Sequence, residues 1–301
     1  MMRVGTTGEA MRDNTEVTRT AMKTRLWKSI ARKSIELLRM HTIAILLLLV
    51  VLSSSFIVLA QQTYHFPVYP TREYMRPLRG GLQIQFVDAN DASNSQICSL
   101  GYFARIENRY GIITAAHCQV IGPNIVYQPN TSRAEYRIGA PYVSSGDIDA
   151  VFVQLDQGVD FEAYIINITG ENSYTTVAIY GYVDWDNVEV GDHVCKTGRT
   201  TGTTCGYVID KRNPYDNLLD VIITNVTAAS GDSGSPLYYY VSSGGRALAT
   251  YLLGHLSRGE NCQLAVVNGE TVYLCPRTVY VSARAIRNIF GATICDVITG
   301  C

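Results

Sequence analysis

"GDSGSPL" occupies Gly231–Leu237 of a 301-residue chain, and its reading decides the fold. It sets Ser233 between two glycines, with Asp232 before it and Pro236 soon after. A serine hydroxyl stays protonated at neutral pH and is a weak nucleophile without a base. By itself "GDSG" is an ordinary surface turn, since every residue in it favours turns. Whether Ser233 is a nucleophile therefore depends on a base elsewhere in the chain, and on a group that holds that base.

Histidine is the usual base, because its pKa lies near neutrality. Past residue 60 the chain offers His65, His117, His193 and His255. His117 lies in the run "YGIITAAHC", Tyr110–Cys118, whose small residues let neighbouring backbone approach an imidazole. The base in turn needs a carboxylate that fixes its tautomer. "GDIDAVFVQLD", Gly146–Asp156, supplies Asp147 and Asp149 at the mouth of an apolar strand. A carboxylate buried there is costly unless it has a partner, which makes one of the two the orienting acid. His65 and His193 read as surface residues. His255 reads as either a pocket or a core residue, since strand alternation allows both.

The order His, Asp, Ser resembles a chymotrypsin-type serine peptidase, a family whose chemistry is the general model for an activated serine. "TAAHC" (Thr114–Cys118) and "GDSGSP" (Gly231–Pro236) match that family's histidine and serine signatures. The closer resemblance is to its small secreted microbial branch, the streptogrisin and α-lytic endopeptidases. "CSLGY" at Cys98–Tyr102, "CKTGRTTGTTC" at Cys195–Cys205 and "LRGG" at Leu78–Gly81 each have a counterpart there, over a span of about 78–290.

The resemblance implies an all-β fold of two antiparallel six-stranded barrels with a short C-terminal helix and the site in the cleft between them. It selects Asp149 over Asp147, because Asp149 directly precedes the alternating run Ala150–Leu155. It makes His117, Asp149 and Ser233 the catalytic set and the amides of Gly231 and Ser233 the oxyanion hole. Substrate would lie against Thr227, Ala228, Ser230, Leu256, Ser257, Arg258 and Gly259, with Thr227 at the base of the first pocket. Asp232 takes a structural role. The residues before Ser233 hold no carboxylate at the pocket, so Lys or Arg before the scissile bond is not favoured. A neutral pocket for medium apolar side chains and an acidic preference set by Arg258 both stay open.

The resemblance also implies disulfides Cys98–Cys118 and Cys195–Cys205. The branch's third bridge is lost, because "TNVTAASGDSG" lacks a cysteine. Cys262 is then expected to pair with Cys275 across a hairpin turn at Asn268-Gly269, and Cys295 with Cys301, though other pairings are open on sequence. Ser235 stands where glycine is commoner.

The rest of the chain fits export. Lys and Arg number 25 against 26 Asp and Glu, so no global field points to nucleic acid. All eight cysteines lie beyond residue 60 and no C-x-x-C pair occurs, which favours disulfides over metal sites. Thr42–Ala60 carries no charge and comes after Arg25, Lys28, Arg32, Lys33 and Arg39. It reads as the h-region of a signal peptide cleaved before Gln61, or as a signal anchor, and either one exports the residues beyond it. Met22 and Met40 are alternative starts. Three sequons, at Asn130, Asn167 and Asn225, permit glycosylation.

The expected layout is a basic region 1–41, an apolar segment 42–60 and a linker or short pro-segment 61–77. A peptidase domain 78–301 comes next, with barrels at about 78–185 and 186–301. Short apolar runs separated by Gly, Pro, Asn and Ser turns support the all-β assignment. One helical run, Ser282–Phe290, has Ser282 to cap it and Gly291 to end it. The expected protein is a secreted or membrane-tethered serine endopeptidase, monomeric and without metal or cofactor. It acts on peptides or proteins and touches a membrane only through 42–60. A non-catalytic homologue that binds peptides is the alternative.

Overall fold

Ala150–Leu155 (AVFVQL) is buried on both faces apart from Gln154, as a central strand should be. It pairs antiparallel with Arg109–Thr114 on one side and Arg137–Ser145 on the other. The sheet around it has eight strands. Their order is Thr293–Ile294, Tyr102–Ile106, Arg109–Thr114, Ala150–Leu155, Arg137–Ser145, Asn124–Tyr127, Gln83–Asp88 and Asp91–Ser99. Phe86, Leu100, Phe103, Ile112, Val151 and Val153 fill its core. The structure is a computed structural model and describes Lys28 and residues 32–34, 36–47, 62–212, 220–243 and 246–301.

The second half closes into a ring. His193–Gly198, Gly202–Arg212, Val221–Thr224, Arg277–Ser282, Arg246–Glu260 and Pro236–Ser243 pair in that order, and Pro236–Ser243 returns to His193–Gly198. Closure leaves no free edge. Val194, Val208, Ile222, Leu237, Leu253 and Tyr280 fill the ring. A hairpin of Phe161–Gly170 and Ser173–Tyr182 leads from one half to the other. A shared cluster, including Tyr102, Phe152, Ile165, Tyr238, Leu252 and Ile286, binds the two halves together. The all-β, two-barrel fold expected from the sequence is the one found, with its short C-terminal helix at Ala283–Phe290. Ser282 Oγ accepts from Ala285 N–H at 3.1 Å and Gly291 ends the helix at φ 63°.

A smaller sheet flanks the ring. Its strands are Thr63–Tyr64, Gln263–Val267, Glu270–Cys275 and Ala228–Ala229. Asn268 and Gly269 both take positive φ at the hairpin turn, the geometry that suits a two-residue connection. All four disulfides form with the expected partners: Cys98–Cys118, Cys195–Cys205, Cys262–Cys275 and Cys295–Cys301.

By contacts the chain divides into Met1–Ala60 and Gln61–Cys301. In the first unit residues 36–47 are helical. Among the described residues no helix is long and apolar enough to cross a membrane. Residues 48–60 of the predicted apolar segment lie outside the described residues.

Candidate active site

His117 sits on a single 3-10 turn, Ala116–Cys118, directly after the strand Arg109–Thr114. The Cys98–Cys118 bridge ties that turn to the neighbouring strand. Asp149 lies just before Ala150–Leu155, and Ser233 lies in the turn before Pro236–Ser243. Three loops from two barrels thus bring His117 and Ser233, 116 positions apart, into contact. His117 Nε2 is 2.8 Å from Ser233 Oγ, and His117 Nδ1 is 2.9 Å from Asp149 Oδ2. Asp147, the other acid the sequence offered, is exposed.

Asp149 is held from several sides. Its Oδ1 accepts the His117 N–H at 2.9 Å, and its Oδ2 accepts the Ser257 hydroxyl at 2.6 Å. Burial acts to raise this carboxyl. Its hydrogen bond with the His117 ring, the His117 charge, the Ser257 hydroxyl and the His117 N–H outweigh burial and hold it below the usual aspartate value. It is therefore ionised at neutral pH. Its backbone adopts φ 38°, a region uncommon for a side-chain-bearing residue. The Asp149 carbonyl secures that conformation by accepting from Ala116 N–H at 3.1 Å and His255 Nε2 at 3.0 Å. His255 is fully buried, and burial lowers its pKa, so it is neutral. It supports Asp149 from behind, and of its two sequence readings the core one holds.

The loop before Ser233 is fixed by residues whose part sequence reasoning missed. Gly231 has φ 95°, and a Cβ there would lie 2.7 Å from Thr200 Oγ1. Thr200 Oγ1 donates to the Ser230 carbonyl at 2.8 Å. In a trans peptide the C=O and N–H point opposite ways. Thr200 therefore turns the Gly231 N–H away from itself. Ser99 Oγ donates to the Gly231 carbonyl at 3.0 Å, and Ser99 N–H donates to the Ser233 carbonyl at 2.8 Å. Asp232 is fully buried against Lys196 Nζ at 3.1 Å. It also accepts from Thr200 N–H, Thr201 N–H, Thr201 Oγ1 and Ala229 N–H. Burial acts to raise Asp232, and Lys196 with these donors outweighs it, so the carboxyl sits below its usual value. The signal for Lys196 was available: a buried Asp232 needs a cation, and Lys196 is the one charge in an inward strand of small residues.

A cleft of about 870 Å³ opens at Ser233 and His117. Ala228, Ser230, Leu256, Ser257, Arg258 and Gly259, which the sequence reading set against substrate, line it. Thr227 does not. It faces a separate cavity of about 210 Å³ with Tyr64, Phe66 and Leu274, because the pairing of Ala228 with Cys275 turns the preceding residue to the other side. The Cys262–Cys275 bridge and Tyr273 line the cleft, which the sequence did not indicate. Gly259 is required beside that bridge, since a Cβ would collide with Cys275 Sγ. Arg258 faces Glu260 at 4.0 Å. His193, Cys195 and Cys205 converge, but their sulfurs are bonded to each other and are not free to hold a metal. His65 pairs with Glu171 at the surface, and His193 is exposed.

No family model matches this sequence. Solved structures do. A glutamic acid specific serine protease, described as using a histidine triad in substrate binding, matches at TM-score 0.52 and 18% identity, over 72% of this chain and 100% of its own. The fold is that of the chymotrypsin-like serine proteases. A Cellulomonas bogoriensis chymotrypsin matches at TM-score 0.49 and 23% identity, over 73% and 98%. An α-lytic protease homologue matches at 0.46 and 19%, over 72% and 98%.

Proposed function

We propose that the chain is an exported serine endopeptidase that hydrolyses peptide bonds through an acyl-enzyme. The observation that carries this is the continuous relay Ser233–His117–Asp149, at 2.8 and 2.9 Å. Ser233 Oγ attacks the scissile carbonyl and passes its proton to His117 Nε2. Asp149 holds the Nδ1–H and stabilises the imidazolium. The carbonyl oxygen takes up negative charge, and the amides of Gly231 and Ser233 donate to it. Collapse breaks the C–N bond, and His117 returns the proton to the leaving amine. Water, deprotonated by His117, then releases the acid and restores Ser233.

The four disulfides support an oxidising compartment outside the cytosol. In the first pocket a neutral preference is better supported than an acidic one. Among the described residues His117 is the only histidine lining the cleft, and Arg258 already faces Glu260. The glutamate-specific protease with the same fold is described as using histidines for substrate binding; here His255 is buried behind Asp149.

The test is hydrolysis of a matched peptide series carrying Lys, Leu, Phe or Glu before the scissile bond. Turnover after Leu or Phe, abolished in Ser233→Ala, is expected. No turnover of any peptide favours the non-catalytic alternative. Fastest cleavage after Lys contradicts the pocket assignment. Fastest cleavage after Glu, lost in Arg258→Ala, establishes the acidic preference.

A further inference from the structure

Residues 62–76 precede the first barrel and fall in the stretch that reads from sequence as a linker or short pro-segment, yet 62–72 are bonded into the second half, while Thr71, Glu73, Met75 and Arg76 bond to Gln83 and Gln128 of the first. Thr63–Tyr64 adds a parallel strand to Gln263–Val267. Val266 N–H donates to the Gln62 carbonyl and Asn268 N–H to the Tyr64 carbonyl, both at 3.0 Å. Asn268 Oδ1 accepts from Phe66 N–H at 2.8 Å. The Pro67 carbonyl lies so close to Gly202 that a Cβ there would strike it. Arg72 Nε donates to the Arg199 carbonyl at 3.0 Å, and its Nη1 pairs with Glu270 at 2.8 Å.

This segment grips the outer face of the pocket wall. Glu270–Cys275 presents Tyr273 and Cys275 to the cleft. Leu274, between them, points to the opposite face, where Tyr64 and Phe66 pack over Leu274 and Ala229. Ala229 itself pairs with Leu274 and lines the cleft. At the hairpin turn Glu270 is clamped by Arg72 and by Arg199, whose Nη1 is 2.8 Å away. Arg199 begins the loop that carries Thr200, the residue turning the Ser230–Gly231 peptide.

We propose that residues 62–76 are a permanent strap of the mature enzyme that sets the substrate pocket, with Phe66 and Arg72 as positioning residues. This rests on the peptidase function proposed above. The strap does not touch Ser233 or His117; it acts through the wall of Tyr273, Leu274 and Cys275.

The experiment uses the full chain with Phe66→Ala, Phe66→Leu and Arg72→Gln, assayed on the matched peptide series. Labelling by a small fluorophosphonate, which reacts with the serine without filling the pocket, is read in parallel. Phe66→Ala is expected to raise KM for the best peptide about tenfold with kcat within about threefold, since lost pocket shape removes ground-state and transition-state binding alike. Phe66→Leu restores KM to near wild type, and Arg72→Gln behaves as Phe66→Ala. Labelling per folded molecule stays within about twofold of wild type. Unchanged KM in Phe66→Ala and Arg72→Gln overturns the strap, as does a fall in kcat and labelling that only tracks the unfolded fraction.

If wild type neither cleaves nor labels, the peptidase function fails, and the strap is judged by thiol trapping. Reduction of Cys262–Cys275 should then be about fivefold faster or more in Phe66→Ala, with Cys195–Cys205 unchanged, because access governs exchange. Equal rates for Cys262–Cys275 in wild type and variant overturn it.

Discussion

Lys196 Nζ lies 3.1 Å from Asp232 Oδ2, with both side chains fully buried, directly beneath the loop that carries Ser233. Asp232 N–H donates to the Ala229 carbonyl and Ser235 N–H to the Asp232 carbonyl, so the pair anchors the turn at its midpoint. The cation that meets Asp232 is built into the strand His193–Gly198. Removing one partner of a buried pair leaves an uncompensated charge, typically at a cost of about 3–5 kcal/mol. Lys196→Met should therefore lose stability on that scale and lose turnover at temperatures where it is still folded. Denaturant unfolding with parallel rate measurement checks this. A folded Lys196→Met with wild-type turnover would show that the pair does not order the loop.

Thr200 separates oxyanion geometry from stability. Its N–H supports Asp232 and its hydroxyl holds the Ser230 carbonyl. Thr200→Val keeps the first and deletes the second. Loss of one oxyanion donor typically costs about 10²–10³ in rate, and loss of its alignment should reach about tenfold or more in kcat with KM nearly unchanged. The melting temperature should fall only modestly, as for one hydrogen bond. Equal kcat in Thr200→Val would free the Ser230–Gly231 peptide from any dependence on Thr200.

Asp149 and Asp147 can be told apart kinetically. Asp149→Asn should lower kcat by about 10⁴, the scale expected when the base is held in the wrong tautomer. Asp147→Asn, at an exposed position, should leave turnover within about twofold, as surface changes do. The reverse pattern would displace Asp149 from the triad.

Stability should fall at acid pH for a defined reason. The carboxyls of Asp149 and Asp232 are both held below their ordinary value in the folded state. A depressed carboxyl contributes stability that is fully present above its unfolded value, about pH 4, and is lost as pH falls through the folded value. The melting temperature should be flat from these groups above about pH 5 and drop progressively below about pH 4. Ser257→Ala removes a donor from Asp149, so its folded value moves toward the unfolded one and the loss below about pH 4 should be smaller, with the onset unchanged. An onset near about pH 6–7, shared by Ser257→Ala, would assign the loss to histidine instead.

The candidate site was legible in sequence where it rests on short motifs. His117 and Ser233 emerge from "TAAHC" and "GDSGSP", and Asp149 from its place before a strand that is buried almost throughout. The helix ends were legible because Ser282 and Gly291 act on their own neighbours. The supports were not. Arg72 finds Glu270 at a separation of 198 residues, and Ser99 finds Gly231 at 132. No local period marks such partners. Residues 62–76 show prolines and polar groups in sequence, while the bonds of 62–72 run to a distant hairpin and those of 73–76 to Gln128. Thr227 was misplaced by one step of alternation, since counting back from Ser233 does not fix the face that the Ala228–Ala229 strand presents.

The most direct measurement is mass spectrometry of the purified protein after reaction with a fluorophosphonate. The expected result is one adduct per chain, located on Ser233, and absent from both Ser233→Ala and His117→Ala although each remains folded with its disulfides intact. No adduct on folded wild type, or an adduct on Ser233 that persists undiminished in His117→Ala, would contradict a nucleophile activated by the His117–Asp149 pair.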